Sequence, residues 1–371
     1  MIVYLVVGEA SGDNIGAKLM RELKMLNSNI EFHGIGGPKM QAEGVHLLFP
    51  SKEISFMGFL EILPHIFSIF KRIKQTINHI IEINPDILVT IDAPGFCFRV
   101  AEKVKGKLKG KLVHYVAPTV WAYKPERAKQ IAKIYDHLLC ILPFESEYFL
   151  KEGLDTSFIG HPAIEDLKIY PKEEFRKKHN ISKDSLLLCL TPGSRKQEVE
   201  TLLPIFLEAI EIFKESYKRG VTIIVPTHEH LKALFNNHPS VHLIDESEKQ
   251  ELFSAADIAL TKSGTITTEL AFYKIPMIVA HKVNSLSYWL IKSMIKVKFA
   301  TIINILAGKE IIPELLQDKC NPKNIAAQLN ILSEEKNYQE TQKEIEFYLK
   351  KLQISGKSPS KLAAEKLLDL V

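Results

Sequence analysis

A single carboxylate stands where an apolar run, Ile87–Ile91, breaks into Asp92-Ala93-Pro94-Gly95-Phe96. Pro and Gly just behind it make a stiff turn, and a carboxylate held that way can act as a general base. The same Asp serves equally well as the cap of a following helix. A second break follows Ile2–Val7 and reads Gly8-Glu9-Ala10-Ser11-Gly12-Asp13. Gly8 and Gly12 permit close backbone approach, and the N–H groups at a helix start suit an anion or a hydroxyl-rich sugar. Ser11 or Asp13 also explains itself as a helix cap. The spacing is not Gly-x-Gly-x-x-Gly, so a dinucleotide site is a weak reading.

Two further breaks have phosphate-binding character. Thr191-Pro192-Gly193-Ser194-Arg195 opens into Lys196-Gln197-Glu198-Val199, a Gly turn with a cation at its tip before a helix start. Free N–H groups, the helix dipole and Arg195 all favour a phosphate there. The Walker A spacing is absent, which disfavours ATP hydrolysis. Thr261-Lys262-Ser263-Gly264-Thr265 repeats the pattern, with Glu269 one helical turn inside, where a ribose or sugar diol would lie in reach. A capping box at Thr265 is the plainer account of that acid. Two such turns in one half suit a nucleoside diphosphate. A fifth break, Tyr115–Lys124, carries Trp121, Tyr123 and Lys124, which line a sugar or acyl pocket or simply pack beneath a loop.

Short β-rich apolar runs alternating with amphipathic segments must position these loops. Such runs mean parallel strands buried on both faces, hence a doubly wound α/β fold. The 371 residues suffice for two Rossmann-type domains. A charged stretch near 160–170 divides them into 1–165 and 166–371, with helices expected over 338–351 and 360–370. Those last helices belong to the second domain or return to the first. Ligands of open α/β sheets bind beyond the carboxyl ends of the strands, so the cleft between the two halves is the expected site.

The net charge of +4 is too small to argue for nucleic acid. The four cysteines are dispersed without a Cys-x-x-Cys pair, which argues against a zinc site or disulfide framework and suits a reducing cytosol. No signal peptide and no uncharged run of membrane-spanning length is apparent.

Together these stretches resemble the lipid-A-disaccharide synthases. The matching segments are GEASGD (8–13), GIGGPKMQAEG (34–44), FMGFLEIL (56–63), PDILVTIDAPGF (85–96), HYVAPTVWAY (114–123), LPFE (142–145) and FIGHP (158–162). LTPGSRKQEV (190–199), KSGTITTE (262–269) and NILAGKEIIPELLQ (304–317) follow in order. The resemblance implies a GT-B-like fold and inverting transfer from UDP-2,3-diacylglucosamine to 2,3-diacylglucosamine 1-phosphate (lipid X). It places the nucleotide sugar on Gly193, Ser194, Arg195, Glu198, Ser263, Gly264, Thr265, Glu269 and Asn304. The acceptor falls on Glu9, Ser11, Gly12, Asp13 and Met57, and Asp92 is the expected base. No metal or cofactor is implied, and a homodimer is compatible with it. The chain departs from the family pattern at Gly95, where a second Asp is common. It departs again at Thr301-Ile302-Ile303, where a Leu-Pro pair usually precedes Asn304.

Lipid substrates imply a cytoplasmic protein attached peripherally to the inner face of the cytoplasmic membrane. The apolar stretch 54–70, followed by Lys71, Arg72 and Lys74, is the candidate anionic-membrane surface. Tyr288-Trp289-Leu290-Ile291-Lys292, with Lys296, Lys298 and Phe299 after it, is a second; an ordinary core helix explains either. A sugar-nucleotide epimerase would use the same second-half loops but needs no lipid-facing helix. A nucleotide-binding regulatory module leaves both Asp92 and 54–70 without a purpose.

Overall fold

A computed structural model of the chain describes residues 1–55, 65–282, 297–354 and 356–371. It divides into two compact units: Met1–Pro162 with Leu352–Val371, and Ala163–Lys351.

In the first unit, β1 (Ile2–Val7), β2 (Glu31–Gly36), β3 (His46–Pro50), β4 (Ile87–Ile91), β5 (Lys111–Tyr115), β6 (His137–Cys140) and β7 (Thr156–Phe158) form one sheet. The order is β3-β2-β1-β4-β5-β6-β7 and neighbours pair in parallel. Alternation along β1 sends Tyr4 and Val6 to one face and Val3, Leu5 and Val7 to the other. Helices Ile66–Ile83, Pro94–Val104 and Arg127–Ile134 cover the first face through Ile73, Ile80, Val100 and Ile131. Helices Ala10–Leu26 and Pro359–Leu368 cover the second through Leu19, Leu23, Ala363, Ala364 and Leu367. The C-terminal helix is thus part of the first core, because its small apolar face completes the layer over β1. Of the two alternatives for the last helices, Pro359–Leu368 returns to the first unit, and the division expected at 165/166 falls between Pro162 and Ala163.

In the second unit, β8 (Leu186–Thr191), β9 (Val221–Thr227), β10 (Val241–Asp245), β11 (Ile258–Lys262), β12 (Met277–His281) and β13 (Glu314–Leu316) form a parallel sheet ordered β10-β9-β8-β11-β12-β13. Helix Lys196–Ser216 packs Val199, Leu203, Phe206 and Phe213 into its core. Strand order reverses beside β1 and β4 in one sheet and beside β8 and β11 in the other. Such switch points splay the following loops and open a crevice at the carboxyl ends. Four of the five chemistry-bearing loops therefore sit at switch points.

Candidate active site

At the first switch point the loops after β1 and β4 touch. A side chain on Gly8 would meet Ala93 Cβ at 2.4 Å, and one on Gly12 would meet Val7 Cγ1 at 2.8 Å. These glycines set the spacing between helix Ala10–Leu26 and the two strands. The β4 turn is strained: Asp92 and Ala93 have φ of 52° and 45°, and Val116, after β5, has 75°. Positive φ is unfavourable for any L-residue and most of all for a β-branched one, and such strain concentrates at functional loops. The Asp92 N–H donates to Tyr115 O at 3.1 Å, which fixes the turn against β5. Among the described residues no hydrogen bond or ion pair engages the Asp92 carboxylate.

Asp13 differs. Its carboxylate is buried and accepts from the N–H groups of Gly37 (2.7 Å), Lys39 (3.0 Å) and Met40 (3.1 Å). It caps helix Pro38–Ala42, not its own, and Gly37 has no side chain because one would meet Asp13 Oδ2 at 2.6 Å. Asp13, expected on the acceptor side, thus acts as a strut between the first two βα loops. Ser11 is exposed and Glu9 half-buried on the same turn, while Gly12 is packed underneath. Met57 lies outside the described residues.

At the second switch point a cavity of about 330 Å³ is lined by both phosphate-type turns, including Gly193, Ser194, Glu198, Ser263, Gly264 and Thr265. A Thr191–Thr261 hydroxyl bond of 2.6 Å ties the strand ends together. Glu198 Oε2 accepts from the N–H groups of Ser194 (3.1 Å) and Arg195 (3.3 Å), and its Oε1 meets Lys262 Nζ at 2.9 Å. Burial works to raise the Glu198 pKa, but the Lys262 hydrogen bond and charge, with the Ser194 N–H and Arg195, outweigh it and leave the pKa below the ordinary value. Gly193 has φ of 140°, and a side chain there would meet Glu198 Cβ at 2.5 Å. Arg195 is 61% exposed and stands 3.5 Å from Glu198. Thr265 makes no side-chain cap bond, so the capping box expected there does not form. Glu269 pairs with Lys249 at 3.0 Å, and Lys249 also pairs with Glu246, on the cavity wall, at 3.1 Å. Lys249 and Glu246 escape sequence reasoning because only folding brings them beside the turns; Lys262 belongs to the second turn, but its pairing with Glu198 is likewise made only by folding.

Asn304 is 0% exposed and its amide is fully used. Nδ2 donates to Ile312 O (2.7 Å) and Glu314 Oε1 (2.8 Å), while Oδ1 accepts from the N–H groups of Ile311 (2.8 Å) and Ile312 (2.9 Å). Glu314 also accepts from the Ala300 and Thr301 N–H groups. These bonds tie Asn304, Ile311, Ile312 and Glu314 into one buried network, so the side chain expected at the nucleotide has a structural task within the fold. Among the described residues no His/Cys/Asp/Glu group is placed to hold a metal ion.

A family model described as Lipid-A-disaccharide synthetase matches residues 3–366. The chain belongs to the lipid-A-disaccharide synthetase family. It is 44% identical over 349 residues to a lipid-A-disaccharide synthase of Rickettsia bellii, covering 92% of this chain and 91% of that protein. A lipid-A-disaccharide synthase of Rhodospirillum centenum is 36% identical over 381 residues, with 100% and 95% covered. Solved structures share the two-domain GT-B architecture at low identity. The UDP-GlcNAc 2-epimerase of Neisseria meningitidis bound to UDP-GlcNAc superposes with a TM-score of 0.62 at 17% identity over 100% of both chains. MurG of Acinetobacter baumannii gives 0.59 at 11% over 99% of each.

The family segment LPFE contributes a group that the sequence alone did not single out. Glu145 is buried and accepts from Trp121 Nε1 (3.2 Å) and the N–H groups of Ile141 (3.1 Å) and Leu142 (2.9 Å). Trp121 meets Phe144 edge-on at 5.2 Å, so the aromatic loop is pinned to the end of β6. Burial pushes the Glu145 pKa up to about 7, against the pull of the Leu142 N–H, Trp121 and the Ile141 N–H. A raised folded-state pKa means that the group's contribution is fully present below its unfolded value and lost as pH rises through about 7. Glu145→Gln does not ionise, so its stability relative to the unsubstituted protein should improve by up to about 3 kcal/mol between about pH 5 and pH 8. Parallel melting curves across that range would test this; a pH-independent difference would sink it.

Proposed function

We propose that the chain joins UDP-2,3-diacylglucosamine to 2,3-diacylglucosamine 1-phosphate, forming the β-1,6-linked lipid A disaccharide 1-phosphate and UDP with inversion. Family membership over residues 3–366 carries this reading. The supporting geometry is the Asp92 carboxylate, which no hydrogen bond or ion pair engages among the described residues, and a cavity at the second switch point lined by both phosphate-type turns. In this mechanism Asp92 takes the proton of the acceptor 6-hydroxyl as that oxygen attacks the anomeric carbon. The bond from the anomeric carbon to the diphosphate breaks, and its electron pair leaves with UDP. Turn N–H groups and the neighbouring cations Arg195 and Lys262 receive the developing charge. Ser263, Gly264 and Thr265 line the donor cavity, Glu269 reaches the ribose, and Glu9 and Ser11 face the acceptor. The test is UDP release from UDP-diacylglucosamine with and without lipid X. Acceptor-dependent release is expected; release indifferent to the acceptor would overturn the assignment.

We further propose that helix Ile66–Ile83 meets an anionic membrane at the inner face. Among the described residues no helix is long and apolar enough to cross a membrane. Phe67 and Phe70 are 86% and 56% exposed, Phe67 on the face away from buried Ile73, Thr76 and Ile80 and Phe70 at the flank of that stripe, and Lys71 and Lys74 are exposed beside them. Arg72, expected to join them, is drawn inward: it pairs with Glu53, donates to Gln75 (2.6 Å) and covers the Phe49 ring at 4.5 Å. Residues 56–64, and the candidate segment at 288–292 with Lys296, lie outside the described residues; Lys298 and Phe299 are described. Phe67→Ser with Phe70→Ser should cut co-sedimentation with anionic vesicles several-fold while UDP binding persists. Unaltered co-sedimentation would overturn the membrane role.

A further inference from the structure

The cradle that would receive the diphosphate already holds an anion. We propose, resting on the donor-site reading above, that Glu198 is a built-in placeholder for the diphosphate and that Lys262 is the cation handed from it to the ligand. The Glu198 carboxylate lies on the two N–H groups of the Gly turn and on Lys262, the set of donors a phosphate seeks at a strand–turn–helix junction. Gly193 keeps this place open, since a side chain there would overlap Glu198 Oε2 at 2.6 Å. Lys262 is a better-held cation than Arg195. It ends β11 with its side chain 24% exposed, whereas Arg195 is 61% exposed at a loop tip. Two anions on one ammonium repel, so diphosphate entry weakens the Glu198–Lys262 pair, and its departure restores it. The empty cavity is thereby kept neutralised and ordered, and product release is assisted by an internal competitor.

The experiment uses the full chain and calorimetric titration with UDP and with uridine. Glu198→Gln keeps the shape and removes the competing charge, so UDP should bind about 3–10-fold more tightly, with uridine unchanged. Lys262→Met should weaken UDP about 10–100-fold, again sparing uridine, as expected for loss of one charged hydrogen bond. Lys262→Arg should recover most of that loss, which separates lost charge from lost folding; a thermal melt accompanies each variant. If Glu198 is only a helix cap, Glu198→Gln lowers the melting temperature while the UDP-to-uridine affinity ratio stays put, and the placeholder idea falls. If uridine and UDP bind the unsubstituted protein but neither substitution alters that ratio, this inference fails while the donor site stands. If the unsubstituted protein binds neither, both fail.

Discussion

Asp92→Asn is expected to lower kcat by at least about a hundredfold and to leave UDP affinity nearly unchanged, since a positioned base supplies roughly 10²–10⁴ in rate. Asn tolerates the left-handed backbone at φ 52° as well as Asp does, so the turn and the Tyr115 bond should survive. Among neighbouring acids, Asp13 is the poorer alternative base, its carboxylate being occupied by three N–H partners; Asp13→Asn should destabilise the first unit. Glu9 remains the competitor. The family's second Asp can be restored as a companion test, because a side chain on Gly95 would meet nothing within 4 Å. That position lies in the first turn of helix Pro94–Val104, where an acid is favoured by the helix dipole. Gly95→Asp should therefore fold normally and return part of the turnover in the Asp92→Asn background. Near-normal turnover of Asp92→Asn, with abolition in Glu9→Gln, would move the base to the first loop and leave Asp92 a turn residue. UDP release kinetics with calorimetric UDP titration decide between them.

Asn304→Ala should act on stability rather than on nucleotide affinity. The substitution strands the Ile311 and Ile312 N–H groups and the Ile312 carbonyl, and removes one of the donors that hold buried Glu314. Each buried group left unpaired costs about 1–3 kcal/mol, partly recovered by relaxation, so a loss of roughly 3–5 kcal/mol is expected. For a unit of this size that lowers Tm by roughly 5–15 °C. Calorimetric melts give the stability, and UDP titration well below Tm gives the affinity. An unchanged Tm with lost UDP binding would return Asn304 to the ligand surface.

The interior strands were legible because both of their faces are buried. β1, β4, β8 and β11 read as continuous apolar runs, and the loops they deliver to the switch points were found with them. Three of the four edge strands, β3, β7 and β13, do not stand out in the sequence as apolar β-rich runs. His46–Pro50 and Thr156–Phe158 are half-exposed and carry polar residues, and Glu314–Leu316 is three residues long with a buried acid at its head. Pairing with a neighbour, not composition, makes them strands.

Residue chemistry at the turns was likewise set locally: small residues where backbones approach, a carboxylate at a strand end, cations beside helix starts. Which of those groups stays available was decided by partners distant in sequence. Asp13 and Asp92 both follow interior strands, yet Asp13 finds three N–H groups 24 to 27 residues away and Asp92 none among the described residues. Glu198 meets Lys262 across 64 residues, and Asn304 closes on Glu314 across a loop. The last helix joins the first core because its small face fits over β1 rather than because of its place in the chain. A sequence states how many hydrogen bonds and charges each side chain can offer; only the packed tertiary structure determines which of them are spent on the fold and which are left for a ligand.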